Sequence, residues 1–89
     1  MKEVPEKVYV ELHVDDLYFR CDAELPTHMQ LKDLKKGLLT LLREKEQRRF
    51  SSVREISVSY RGSPIPDTKT LADIGAWDGS ILALDITEQ

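Results

Sequence analysis

The chain has 89 residues, 40% of them hydrophobic and 33% charged, with a formal net charge of −3. That length supports one small domain burying about 60–65% of its unfolded surface, leaves little room for a deep catalytic cleft, and contains no apolar run near the roughly 18 residues of a membrane span. The acidic balance argues against a general nucleic-acid binder, whose phosphate contacts come from a concentrated basic surface, and the opening Met1 to Glu6 lacks the apolar stretch of an export signal, so the expected location is cytoplasmic.

Lys7 to Val14 alternates strictly, with Val8, Val10, Leu12 and Val14 on one side, which predicts a half-buried strand. After Asp15-Asp16 the alternation resumes as Leu17, Phe19, Cys21, Ala23 and Leu25, so a short acidic turn should join an antiparallel hairpin. Cys21 falls on the apolar side as a small buried hydrophobe, and with no second Cys or clustered His it implies neither disulfide nor zinc. From Leu31 the period changes. Leu31, Leu34, Leu38, Leu41 and Leu42 share one helical face, with Leu39 off it and partly exposed. Thr27 and Gln30 have capping-box spacing, a start nearer Met29 being the alternative. Gly37 costs about 1 kcal/mol in a helix relative to alanine unless close packing at the edge of the stripe compensates.

Lys45 on the leucine face marks where the helix leaves the core, and the basic cluster Arg43, Lys45, Arg48 and Arg49 is expected to be a solvated helix end, an acidic partner surface being the alternative. Phe50 to Arg54 is then a connector. Ile56, Val58 and Tyr60 alternate as a third strand, Arg61-Gly62 supplies a tight turn, and Ser63 to Ile65 forms a brief edge strand. Thr70 should cap a single helical turn carrying Leu71 and Ile74. Asp78-Gly79 predicts a turn into a last strand, Ile81 to Ile86, with Leu82 and Leu84 facing the core.

One sheet with one helix across it satisfies every apolar face in this order of elements, which makes the fold class α+β. Gly62, Gly75 and Gly79 do not have the spacing of a phosphate-cradling loop, and His13 and His28 are too isolated to serve as a catalytic base or metal ligand. No enzyme, cofactor or metal site is expected. Tyrosine and arginine favour interaction hot spots, so the outward sheet face with Tyr9, His13, Tyr18, Arg20 and Arg61 is the candidate protein-binding surface. Ordinary cross-strand pairing on a solvated sheet is the competing reading.

The run Leu25-Pro26, Leu31-Lys32-Asp33-Leu34, Arg61-Gly62-Ser63-Pro64-Ile65, Leu71-Ala72-Asp73-Ile74-Gly75 and Asp78-Gly79-Ser80-Ile81-Leu82-Ala83-Leu84 resembles ubiquitin-like proteins, most of all the YukD/EsaB-like family of bacterial type VII (WXG100) secretion systems, related to the ubiquitin-like domain of EccD. The resemblance implies a ubiquitin-like β-grasp, a mixed sheet of four to five strands under one helix, as a single domain over residues 1–89 with an ordered core at about 7–86. It implies a non-enzymatic accessory or regulatory protein that docks to protein components of the secretion machinery as a monomer or weak dimer, without nucleic acid or direct membrane insertion. A ubiquitin-like adaptor unrelated to secretion is the alternative. A conjugated modifier or sulfur carrier fits less well, because the chain as written ends at Gln89 without the flexible Gly-Gly tail that activation needs. The resemblance also puts Ser59, Ala83 and Asp85 at positions of ubiquitin's apolar docking patch, which is therefore lost. Trp77 departs from the family pattern and is expected to cover one end of the core, an exposed anchor being the alternative.

Overall fold

The computed structural model describes residues 5–88. Strands lie at Lys7–Val14 (β1), Phe19–Pro26 (β2), Val53–Tyr60 (β3), Ser63–Pro64 (β4) and Ser80–Glu88 (β5), and helices at Leu31–Lys45 (α1), Gln47–Phe50 (α2) and Leu71–Ile74 (α3). They form one mixed sheet ordered β2-β1-β5-β3-β4. β1 is antiparallel to β2 and parallel to β5, which is in turn antiparallel to β3. Readings that rest on Met1 to Val4 or on Gln89 lie outside the described residues.

The alternation read in β1 places Val8, Val10, Leu12 and Val14 in the core, where they meet Leu31, Leu34, Leu38 and Leu42 of α1, and Leu82 and Leu84 of β5. Burial of these side chains contributes about 1.5–3 kcal/mol apiece before entropy is counted. Leu39 and Leu41 are half-buried at the margin. The two-residue turn Arg61-Gly62 takes positive φ at both positions, 52° and 80°, as the twist of a tight hairpin requires, and Tyr60 pairs with Ser63 across it.

Four expectations are corrected. The Thr27–Gln30 capping box does not form: Gln30 precedes α1 without a side-chain cap, and the first amides of the helix are satisfied instead by carbonyls of the distant turn before α3, Leu31 N–H donating to Lys69 (2.8 Å) and Lys32 N–H to Asp67 (3.1 Å). Thr27 is fully buried and its hydroxyl donates to the Pro5 carbonyl, while its own carbonyl accepts from Ala72 N–H at 3.0 Å. Phe50 is no mere connector, because it ends α2 wholly buried, edge-on to Phe19 with ring centroids 5.1 Å apart. Nor is the basic cluster simply solvated: Arg43 donates to the carbonyls of Phe50 and Val53 (3.4 and 3.1 Å), and Arg49 donates to the Leu17 carbonyl with its guanidinium over the Phe19 ring. Arg43 thus ties α1 to its own connection with β3, and Arg49 pins that connection to the hairpin. Finally, Gly37 is exposed, and a Cβ there would meet nothing within 4 Å, so no close packing compensates for it.

Thr70 caps α3 as expected, in a capping box with Asp73: the Asp73 N–H donates to the Thr70 hydroxyl oxygen (3.1 Å) and the Thr70 N–H to the Asp73 carboxylate (3.0 Å). That backbone hydrogen bond holds the Asp73 pKa below its ordinary value.

Two outcomes follow for stability. Gly37→Ala should raise the unfolding free energy by about 1 kcal/mol in a urea titration, whereas a loss would reveal a contact at Gly37. A group whose folded pKa is depressed stabilises above its unfolded pKa and loses that contribution as pH falls through the folded one. The stability gap between wild type and Asp73→Ala should therefore be full at neutral pH and shrink through the acid range; a gap independent of pH would remove the carboxylate as its cause.

Candidate functional site

The face of the sheet turned away from α1 is set by the strand period: with Val10, Leu12, Leu82 and Leu84 inward, Tyr9, Glu11, His13, Ile81 and Ala83 must point outward. The structure does not gather the five sequence-predicted residues into one site. His13 and Arg20 lie opposite each other across the β1–β2 ladder. The His13 side chain is largely covered, and its Nε2 sits 3.3 Å from the Glu11 carboxylate without the alignment of a hydrogen bond. Tyr18 is not in the strand. It closes a 3-10 turn, Asp15–Leu17, in left-handed conformation (φ 51°), and projects alone at the hairpin end with 96% of its surface exposed.

Tyr9 and Arg61 belong to the other end, and the loop before β5 joins them there. Tyr9 N–H donates to the Asp78 carboxylate and the Gly79 N–H donates back to the Tyr9 carbonyl, both at 2.8 Å. Trp77 and Ser80 close the same loop through bonds of 2.9 Å in each direction. Gly79 meets this geometry with φ 87°, which an L side chain adopts only under strain. Held so, Trp77 does not cover the core as expected; 52% of it is exposed, beside Ile81 at 47% and Tyr9 at 60%. An open groove of about 620 Å³ runs between the Arg61-Gly62 turn and this loop, lined by Trp77, Ile81, Ala83 and Arg61. A second hollow, sharing Gly79, continues it to Tyr9, Glu11 and Asp22. Large exposed apolar side chains grouped around one arginine have the composition of an interaction surface, and the shallow groove offers no converging acid–base pair.

Sequence reasoning weighed an exposed Trp77 but preferred a core-covering role for it, and it passed over Ile81. The signal for Ile81 was present, since it is out of phase with Leu82 and Leu84; nothing local distinguishes an exposed Trp77 from a buried one. Glu24, opposite Tyr9 in the β1–β2 register, raises the Tyr9 phenol pKa, first as a hydrogen-bond acceptor and then through its negative charge. Cys21 is half-buried against the core rather than fully buried as expected, and that burial pushes its thiol pKa up. Among the described residues no group of His, Cys, Asp and Glu is gathered to hold a metal ion, and no helix is long and apolar enough to cross a membrane.

Comparison with known proteins adds to this geometry. The family model described as WXG100 protein secretion system (Wss), protein YukD, matches residues 7–84. No curated protein is significantly similar. Among solved structures, the EccD5 ubiquitin-like domain from Mycobacterium xenopi is 17% identical with a TM-score of 0.75, over 96% of this chain and 99% of that one. The ubiquitin-like domain of the Mycobacterium tuberculosis type VII secretion protein EccD1 is 20% identical with a TM-score of 0.71, over 89% and 97%. A component of the MycP5-free ESX-5 inner membrane complex is 16% identical with a TM-score of 0.74, over 96% of this chain, which spans only 22% of that larger one. At these identities the likeness establishes the ubiquitin-like β-grasp fold.

The Tyr9 environment is open to direct measurement. With Glu24→Gln the Tyr9 phenol should titrate at lower pH than in wild type, followed by NMR of ring-labelled tyrosine; an unmoved titration would detach Tyr9 from Glu24.

Proposed function

Because the chain belongs to the YukD family of the WXG100 protein secretion system, we propose that it serves that machinery as a non-enzymatic docking module, through the sheet face around Tyr9, Arg61, Trp77 and Ile81. The observation that carries this reading is the rigid display of exposed aromatic and aliphatic side chains beside one arginine. The EccD ubiquitin-like domains support protein components of the secretion machinery as partners, the ESX-5 complex supports a place of action beside an inner membrane, and the cytoplasmic side of that membrane is part of the proposal. Residues 7–86 act as one ubiquitin-like unit, by docking rather than by covalent conjugation. His13, Arg20 and Tyr18 form a separate, weaker part of the surface, the first two as a cross-strand pair and the third at the far hairpin.

Capture from the source cell tests the reading. Replacing Tyr9, Trp77 and Ile81 together by alanine should cost about 2 kcal/mol of binding, roughly a thirtyfold loss in recovery of secretion components identified by mass spectrometry, in a variant whose fold is verified by circular dichroism. Tyr18→Ala should lower recovery far less than the triple variant does. Undiminished capture by the triple variant would move the site elsewhere, and a covalent mass increase on the recovered protein would replace docking by conjugation.

A further inference from the structure

The opposite flank of the molecule carries a groove of about 410 Å³ between α1 and the first half of β3. Its chemistry runs against the charge of the whole chain. Lys32, Lys35, Lys36 and Arg54 line it against only Glu55 and Asp67, on a protein of net charge −3. Lys35 is committed to Asp67 at 2.6 Å, whereas Lys32, Lys36 and Arg54 make no salt bridge among the described residues and are exposed. Half-buried Leu39 and buried Ile56 supply apolar surface between these cations.

The backbone along this groove is also unfinished. β4 pairs only with Ser59 and Tyr60, so the earlier residues of β3 have β5 on one side and, among the described residues, no strand on the other. Alternate residues of a strand direct their backbone groups to opposite edges. The Val58 carbonyl points toward the β4 side, where it accepts from Ile65 N–H at 2.9 Å, and the N–H and C=O of Ile56 therefore open on that same side, beside the lysines of α1.

We infer that this groove receives an extended acidic segment of a partner protein, which adds as a strand to the open edge of β3 with an apolar side chain against Leu39 and carboxylates on Lys32, Lys36 and Arg54. An open edge supplies register-independent affinity through main-chain hydrogen bonds, while the side chains beside it supply specificity. The uncommitted cations select acidic over basic segments, since like charges brought together here would repel. The site is separate from the aromatic sheet face and does not depend on the function proposed for that face.

The test uses the full chain, labelled with nitrogen-15, and a short synthetic peptide of mixed valine, isoleucine and glutamate, beside the same peptide with every glutamate replaced by lysine. The acidic peptide should shift the amide signals of Arg54–Ser57 and of Lys32–Leu39, slow hydrogen exchange at the Ile56 amide, and leave Trp77 and Ile81 unmoved. Lys32→Glu with Lys36→Glu and Arg54→Glu should weaken binding by about tenfold or more, as should raised salt. A second variant with glutamine at the same three positions should fall between the two, and both variants should retain the dispersed spectrum of the wild type. Equal binding of the lysine peptide, shifts confined to the sheet face, or no shifts would overturn the inference. So would tighter binding of an RNA oligonucleotide or of anionic lipid vesicles than of the peptide, because either would make the groove a general anion site.

Discussion

β1 and β5 lie side by side and parallel at the centre of the sheet, with Leu12 opposite Leu82 and both fully buried. Parallel neighbours cannot be joined by a tight turn, so the chain between them has to cross out of the sheet and come back to it before β5. The β2 hairpin fills one flank, α1 crosses the inner face, and β3 with β4 fills the other flank before β5 enters the gap. Such pairing between the two ends of a chain carries a high loop-closure cost and forms only when the apolar faces are covered at the same time. The buried leucines of α1 provide that cover.

The same central pairing creates the sheet-face surface. β5 enters beside Val10, and the loop that leads into it, Trp77 to Gly79, is bonded to the Tyr9 backbone, the Asp78 carboxylate accepting from the Tyr9 N–H and the Gly79 N–H donating to the Tyr9 carbonyl. Trp77 is therefore held out on a fixed loop rather than folded over the core, where Ala76 takes the buried position. Ser59 pairs with Ala83 and Ser57 with Asp85 where the resemblance implies the docking patch of ubiquitin, and the large exposed apolar side chains lie instead at Tyr9, Ile81 and, in the loop before β5, Trp77.

Arginine has a structural role at the other end of the molecule. Arg43 and Arg49 satisfy carbonyls in the turns that carry Phe50 and Leu17, and these turns would otherwise bury polar backbone without partners. Their charge was legible in the sequence, but their use was not. A guanidinium on a long side chain reaches either solvent or a carbonyl with the same local sequence around it; the fold of the α1–β3 connection selects the second for Arg43, and the approach of the hairpin to that connection selects it for Arg49.

By itself the sequence determined what depends on period and turn chemistry. The strict alternation from Lys7 to Val14, the leucine stripe from Leu31, the Arg61-Gly62 turn and the Thr70 cap each correspond to an element of the structure, because side-chain direction and permitted φ are local properties. The family was legible for the same reason, since most of its motif residues are turns and core positions. The tertiary structure alone decided which capping groups the helix uses, that Thr27 and Phe50 are buried, and that Tyr9, Arg61, Trp77 and Ile81 share one end of a face while Tyr18 stands apart. Those outcomes rest on contacts between segments distant in sequence, and no local pattern encodes which orphaned amide or exposed ring a remote segment will meet.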